Sequence, residues 1–279
     1  MPELPEVETV CRGLRPVVTG QVIARVAVRR RDLRHPFPAG LKRHLESRRM
    51  MSITRRAKYI LIHLDNGYVL VIHLGMSGRL VLYPASYKPK THDHFILYLA
   101  DGRQIVLNDA RRFGLVDLVA VDDLDSHGLF SHLGPEPLSR NFSGAVLGRA
   151  LAGRTAAIKQ AIMDQRLVVG VGNIYASEAL FQAGIDPQIP AGMLRPAQCA
   201  ALAGSIKKVL QQAIKAGGST LRDHRQATGE QGYFQHHFMV YDRAGAPCPR
   251  CSSGGCEQAR IVRIIQGGRA SFYCPACQK

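Results

Sequence analysis

Two tight-turn signatures constrain the first half of this 279-residue chain more than any other feature. In YILIHLDNGYVLVIHLG two apolar runs flank Asn66-Gly67, and FILYLADGRQIVLND repeats the device around Asp101-Gly102. Asn-Gly and Asp-Gly enter the left-handed backbone that a two-residue hairpin turn demands. A turn this short joins only antiparallel neighbours, because a parallel pair needs a long crossover. With QVIARVAV before them and GLVDLVAV after, residues 20–121 read as an antiparallel sandwich or barrel.

The chain opens MPELPEVETV, which reads as the start of a helix packed beside the sheet. Pro5 suits the first helical position, and Glu6 and Glu8 suit the positive end of the helix dipole. Val7, Val10, Cys11 and Leu14 follow at helical spacing, with Gly13 and Pro16 placed to end it. Pro2 and Glu3 gain nothing from this reading. HLGPEPLSRN, residues 132–141, reads as a linker. Helical patterns follow over 142–152, 156–164, 174–183 and 196–215.

Lys and Arg number 37 against 21 Asp and Glu, a net charge of +16. An excess spread along the whole chain calls for an anionic partner, and nucleic acid leads because phosphate neutralisation releases counterions. No basic amphipathic helix supports a membrane surface, and no apolar stretch reaches spanning length. The N-terminus is acidic where a signal peptide would be basic, so the expected location is the cytoplasm.

Five of the seven cysteines fall in the last 32 residues. Cys248-Pro-Arg-Cys251 and Cys274-Pro-Ala-Cys277 are two CxxC knuckles separated by 22 residues. Such a pair brings four thiolates into the closed tetrahedron of a structural zinc. Redox dithiols would call for a βαβ context that is missing here. Cys256 lies between the knuckles as a free thiol or a competing ligand. RIVRIIQGGRASFY reads as a hairpin turning at Gly267-Gly268 with Arg269 beside the turn. Cys11 and Cys199 fall among apolar neighbours and read as small buried hydrophobes.

Three loops of the β region and one helix start carry further signals. HLGMSGRL sets Met76 between two glycines, THDHF carries His92 and His94, and NDARRFGL sets Arg111, Arg112 and Phe113 before Gly114. Each is ordinary alone, Met76 and Phe113 as core residues and the histidines as a solvated pair. Together they place apolar wedges and phosphate-binding arginines in loops between strands, as base-displacing proteins do. LVVGVGNIYASEAL puts Gly170, Gly172 and Asn173 before a helix, a phosphate-binding arrangement or a plain turn. It is not a dinucleotide fingerprint, because Tyr175 stands where the third glycine belongs. Lys58, in RRAKYILI, reads by default as a surface lysine.

These segments, in order, resemble the formamidopyrimidine-DNA glycosylase family: PELPEVETV, RRAKYILI, HLGMSGRL, HDHF, ARRFG, HLGPEPL, LVVGVGNIYASEALFQAGIDP, GGSTLRD and the paired CxxC. The resemblance implies an α+β multidomain fold. It has an N-terminal antiparallel β-sandwich with a flanking helix (1–131), a helix–two-turn–helix DNA-binding domain (132–239) and a C-terminal zinc-finger β-hairpin (240–279). It implies a bifunctional glycosylase and abasic-site lyase removing 8-oxoguanine and formamidopyrimidines from double-stranded DNA in base-excision repair. Met1 is removed in the family, and Pro2 becomes the nucleophile that attacks C1′. Glu3 is the acid or base beside it, Lys58 the proton donor in β-elimination, and Arg269 the residue linked to δ-elimination. Met76, Arg111 and Phe113 match the residues that fill the hole left by the flipped base. His92, Arg111, Arg154 and Asn173 match DNA contacts. Cys248, Cys251, Cys274 and Cys277 hold one structural zinc, and residues 218–235 match the loop that covers the flipped base. Two departures stand out: a stretch between the knuckles about six residues longer than usual, and Asp242 where the family has glycine.

Two rivals follow. The endonuclease VIII-like sister group, which acts on oxidised pyrimidines, shares Pro2 and Glu3 but begins PEGPE. Leu4 and the intact Met76, Arg111 and Phe113 set favour the purine branch. A non-catalytic lesion-binding zinc protein would keep the basic surface and the knuckles without chemistry at Pro2. A monomer associated with the nucleoid is expected.

Overall fold

A computed structural model describes residues 2–219, 232–255 and 258–279. The chain divides into two compact units, Met1–Ser131 with Ala216–Gln235, and His132–Lys215 with His236–Lys279.

In the first unit the opening helix α1 (Leu4–Val18) precedes β1 (Ile23–Val28) and a short α2 (Leu41–Leu45). The strands β2 (Met50–Arg56), β3 (Tyr59–Leu64), β4 (Tyr68–His73), β5 (Arg79–Tyr83), β6 (Asp93–Leu99), β7 (Gln104–Asn108) and β8 (Leu115–Ala120) follow. They form two four-stranded antiparallel sheets, ordered β1-β6-β7-β5 and β2-β3-β4-β8. The Asn66-Gly67 and Asp101-Gly102 turns join β3 to β4 and β6 to β7 as antiparallel neighbours, but each loop is longer than two residues and only its glycine, Gly67 or Gly102, has positive φ. One core holds the inward side chains of both sheets, among them Ile53, Ile60, Ile62, Phe95, Leu97 and Leu107, with Val7, Cys11, Leu14 and Val18 of α1. Burying each of the larger aliphatic side chains contributes roughly 1.5–3 kcal/mol.

The helix runs past its expected end. Gly13 and Pro16 both lie inside α1. Pro16 is exposed in the last turn, and its missing N–H removes one helical bond, the one to Arg12 O. Val18 extends the buried stripe by one more turn, and the Thr19 N–H and hydroxyl both donate to Arg15 O, at 3.2 and 2.7 Å.

The second unit contains α3 (Gly144–Leu151), α4 (Ile158–Met163), α5 (Asn173–Ala183) and α6 (Pro196–Lys215). All four begin within two residues of the helical patterns read from sequence. A separate small core follows around α7 (Pro249–Ser253), β9 (Val262–Gln266) and β10 (Arg269–Tyr273). Here Phe272, Val240, Ile261, Cys248 and Cys274 pack with Phe181 of α5. The buried Glu178 carboxylate accepts N–H bonds from Met239, Val240 and Tyr241 at 2.8–3.0 Å and anchors the chain entering this core. β9 and β10 pair antiparallel with Arg269 opposite Gln266, so the longer stretch between the knuckles leaves the hairpin register as read. Asp242 adopts φ 59°, a left-handed conformation in which glycine is unstrained and Asp is tolerated better than most residues.

Candidate active site and metal centre

Pro2 and Glu3 sit at the start of α1 and are buried, Glu3 to 2% exposure. Glu6 supports them: its Oε2 accepts the Glu3 N–H at 2.8 Å. Its Oε1 accepts the Ser219 N–H and hydroxyl at 2.9 and 3.0 Å. A carboxylate thus ties the chain start to the segment leading into residues 220–231.

Lys58 departs from the default for a lysine. It is 7% exposed and stands in the two-residue turn, Ala57-Lys58, that joins β2 to β3. Ala57 has φ 52°, a position glycine usually takes in such hairpins. The turn is held from α1: Arg55 donates to Glu8 at 3.1 Å and to Ala57 O at 2.8 Å. His73, opposite Tyr59 on β4, accepts the Gly75 N–H at Nδ1. Burial and the charges of Lys58 and Arg34 push its pKa down to about 4, so the ring is neutral.

Met76, His92, Arg111 and Phe113, which the resemblance implies as wedge and DNA-contact residues, are all exposed, Met76 by 41% and Phe113 by 45%. Neither Met76 nor Phe113 is therefore a core residue. The Arg111 guanidinium lies 5.0 Å from the Phe113 ring centroid. Beneath these tips lies a fully buried carboxylate, Asp109. Its Oδ1 accepts the Ser77 hydroxyl at 2.7 Å, and its Oδ2 accepts the Gly114 N–H at 2.7 Å. Ser77 Oγ in turn accepts the Arg111 N–H at 3.2 Å. The Asp109 N–H donates to His92 O, and its carbonyl meets His94 Nε2, both at 3.0 Å. Burial lowers the pKa of His94. A neutral ring protonated at Nε2 satisfies that contact as donor.

In the second unit Arg154 and Arg269 are exposed, and Asn173 is the first residue of α5. The Asn173 side chain accepts from Lys159 Nζ at 2.7 Å and donates to Ala270 O at 3.0 Å. Lys159 is 2% exposed and also donates to Ala270 O and Ser271 Oγ, each at 2.8 Å. Lys159, Gln160, Asn173, Gln266 and Arg269 line one open cleft. A buried ammonium, an arginine and a helix start suit an anion there.

The four cysteines Cys248, Cys251, Cys274 and Cys277 place their Sγ atoms within 4.8 Å of one another. Cys248 and Cys277 are 3.8 Å apart, as are Cys251 and Cys274. A tetrahedron with metal–sulfur bonds of about 2.3 Å has edges of about 3.8 Å, so the donor set fits a metal ion. Gln278 braces the cluster, accepting the Cys274 N–H and donating to Ile185 O.

Cys256 and most of the loop at 218–235 lie outside the described residues. Four supporting residues escaped the sequence reading: Glu6, Ser77, Asp109 and Lys159. Lys159 alone left a signal, a lysine on the apolar face shared with Ile158 and Ile162.

The model of the formamidopyrimidine-DNA glycosylase N-terminal domain matches residues 1–116, and that of the family's H2TH domain matches 133–225. The formamidopyrimidine-DNA glycosylase of Paracoccus denitrificans (strain Pd 1222) is 52% identical with full coverage of both chains. Among solved structures, a point mutant of the Lactococcus lactis FPG protein in complex with Fapy-dG-containing DNA superposes with a TM-score of 0.91. It is 34% identical, with both chains fully covered. The MutM (Fpg) protein of Thermus thermophilus gives 0.87 at 39% identity, covering 99% of this chain and 98% of that one. By sequence over its whole length and by fold, the chain belongs to the formamidopyrimidine-DNA glycosylase family.

Proposed function

We propose that this protein, a DNA glycosylase and abasic-site lyase by family, removes oxidised purines from duplex DNA through a covalent bond to Pro2. The carrying observation is a buried proline and a buried carboxyl side by side at the head of α1. Residues 1–131 would carry the chemistry, 132–239 the grip on DNA, and 240–279 the zinc finger.

Removal of Met1 leaves Pro2 with a secondary amine, and α-amino groups titrate near 7.7–8.0, so a useful fraction is nucleophilic at neutral pH. Its nitrogen bonds to C1′ as the C1′–base bond breaks, and the proton shed by the nitrogen neutralises the departing base. Glu3 protonates the sugar ring oxygen as the ring opens. The resulting iminium withdraws electrons, so the C2′ proton is lost and the C3′–oxygen bond breaks, releasing one phosphate end. Loss of the C4′ proton then breaks the C5′–oxygen bond. Water hydrolyses the remaining linkage and restores the free proline. Lys58 serves proton transfer in the first elimination and Arg269 the second. Met76, Arg111 and Phe113 occupy the gap in the stack, and His92, Arg154 and Asn173 hold the backbone. Leu4 and the complete wedge set support purine lesions over the pyrimidine branch.

The four cysteines would hold one zinc ion, which holds the finger folded and leaves no open coordination position. The protein would act as a monomer on nucleoid DNA.

Borohydride reduction during reaction with an 8-oxoguanine duplex tests the covalent step. A trapped complex is expected, with most of it lost in Pro2→Ala and excision lost in Glu3→Gln. Specific binding without trapping or strand cleavage would instead support the non-catalytic reading. Faster excision of thymine glycol than of 8-oxoguanine would move the protein to the pyrimidine branch.

A further inference from the structure

The wedge residues come from two loops far apart in sequence, Met76 after β4 and Arg111–Phe113 after β7. Two independent loops could enter a base stack separately. Their supports are shared, however. The Ser77 hydroxyl accepts the Arg111 N–H and donates to Asp109 Oδ1, so its orientation is fixed by both partners. The other Asp109 oxygen takes the Gly114 N–H, on the far side of Phe113. The two loops also meet backbone to backbone: a Cβ on Gly75 would lie 2.3 Å from the Phe113 carbonyl carbon. Gly75 itself has φ 63°. Arg112, between the two wedge residues, has φ 60°, a strained conformation for arginine that needs support from its surroundings. The Asp109 main chain extends the same hub to His92 through one further bond.

We infer that Ser77 and Asp109 are positioning residues that latch the two wedge loops into one rigid unit, so that Met76, Arg111 and Phe113 enter the stack together. The latch touches no reacting atom. It acts by fixing the backbone from which the wedges project, and small misplacements at such sites reduce rates strongly. This inference rests on the wedge roles proposed above and adds the device that coordinates them.

The test uses Ser77→Ala, Asp109→Asn and the double variant, each checked for folding by its thermal midpoint. Ser77→Ala strands the Arg111 N–H. Asp109→Asn keeps the side-chain shape but cannot accept from both Ser77 and Gly114. Two reactions are compared in single turnover: excision of 8-oxoguanine from a duplex, and cleavage of a preformed abasic site in a single strand, which has no stack to enter. 2-Aminopurine beside the lesion reports wedge insertion. Each single variant is expected to slow duplex excision and the fluorescence step together, roughly ten- to hundredfold. Single-strand cleavage should stay within about twofold of wild type. The double variant should be no slower than the worse single one, because both remove the same latch. Unchanged duplex excision, equal losses in both reactions, or additive losses in the double variant would overturn the latch. A wild-type protein that performs neither reaction would instead sink the glycosylase reading and the latch with it.

Discussion

His73 shows how one residue couples the site to pH. Its ring accepts the Gly75 N–H at 3.0 Å and stands near the charges of Lys58 and Arg34, which with burial bring its pKa to about 4. An unfolded histidine titrates near 6.5. The fold therefore disfavours the protonated ring. Its contribution to stability is complete above about pH 6.5 and is lost as pH falls toward 4, by at most about 3 kcal/mol. His94, also depressed by burial, adds to the same acid-side slope. The urea midpoint of the wild type should fall clearly from pH 7 to pH 5. His73→Phe should start about 1 kcal/mol lower at pH 7, having lost an acceptor, but lose less between the two pH values. Equal slopes would show that His73 does not carry the effect. Glu6 makes a different point at the same scale. In sequence it suits a helix dipole, yet its two oxygens serve Glu3 and Ser219, a residue 213 positions away. No local pattern encodes a partner at that distance.

At the scale of elements, the cysteine cluster carries the sharpest prediction. Among the described residues its core contains a handful of buried apolar side chains, too few to hold a domain by burial alone. Metal binding should supply much of its folding energy. Cys274→Ser should lose about one zinc per chain by elemental analysis and abolish specific DNA binding, while the sandwich keeps its cooperative melt. Retained metal with intact binding would refute a structural role for the cluster. The sequence was most legible in elements with local periodicity or local turn chemistry. The Asn66-Gly67 and Asp101-Gly102 turns, the paired knuckles and α3 to α6 were all visible. β2 was not, because its buried positions, Met50 and Ile53, lie three apart and do not alternate, and Met51 between them is exposed. Lys58 looked like a surface lysine because its burial depends on a turn tied by Arg55 to α1. The Ser77–Asp109 relay spans 32 residues of sequence and leaves no periodic trace.

For the whole molecule, the governing quantity is the net charge of +16. On the roles proposed above, exposed basic residues such as Arg154 would bind phosphates whatever the sequence, whereas Met76 and Phe113 would act only where a base has left the stack. The two kinds of contact therefore differ in their response to salt. Each neutralised phosphate adds about 0.9 to the slope of log K against log salt on duplex DNA. Arg154→Ala should weaken binding to undamaged and lesion duplexes alike and make both slopes shallower by about one. The Arg154 side chain also donates to Ala150 O at 2.8 Å, an exposed bond, while its backbone is held by bonds to Leu151 O and from the Gly192 N–H, so the substitution removes the charge at little cost to the fold. Met76→Ala should leave both slopes unchanged and reduce only the preference for the lesion. Fluorescence anisotropy titrations between about 50 and 200 mM salt on matched duplexes separate the two. A shallower slope in Met76→Ala, or an unaltered slope in Arg154→Ala, would contradict the assignment of phosphate grip to one set of residues and lesion reading to the other.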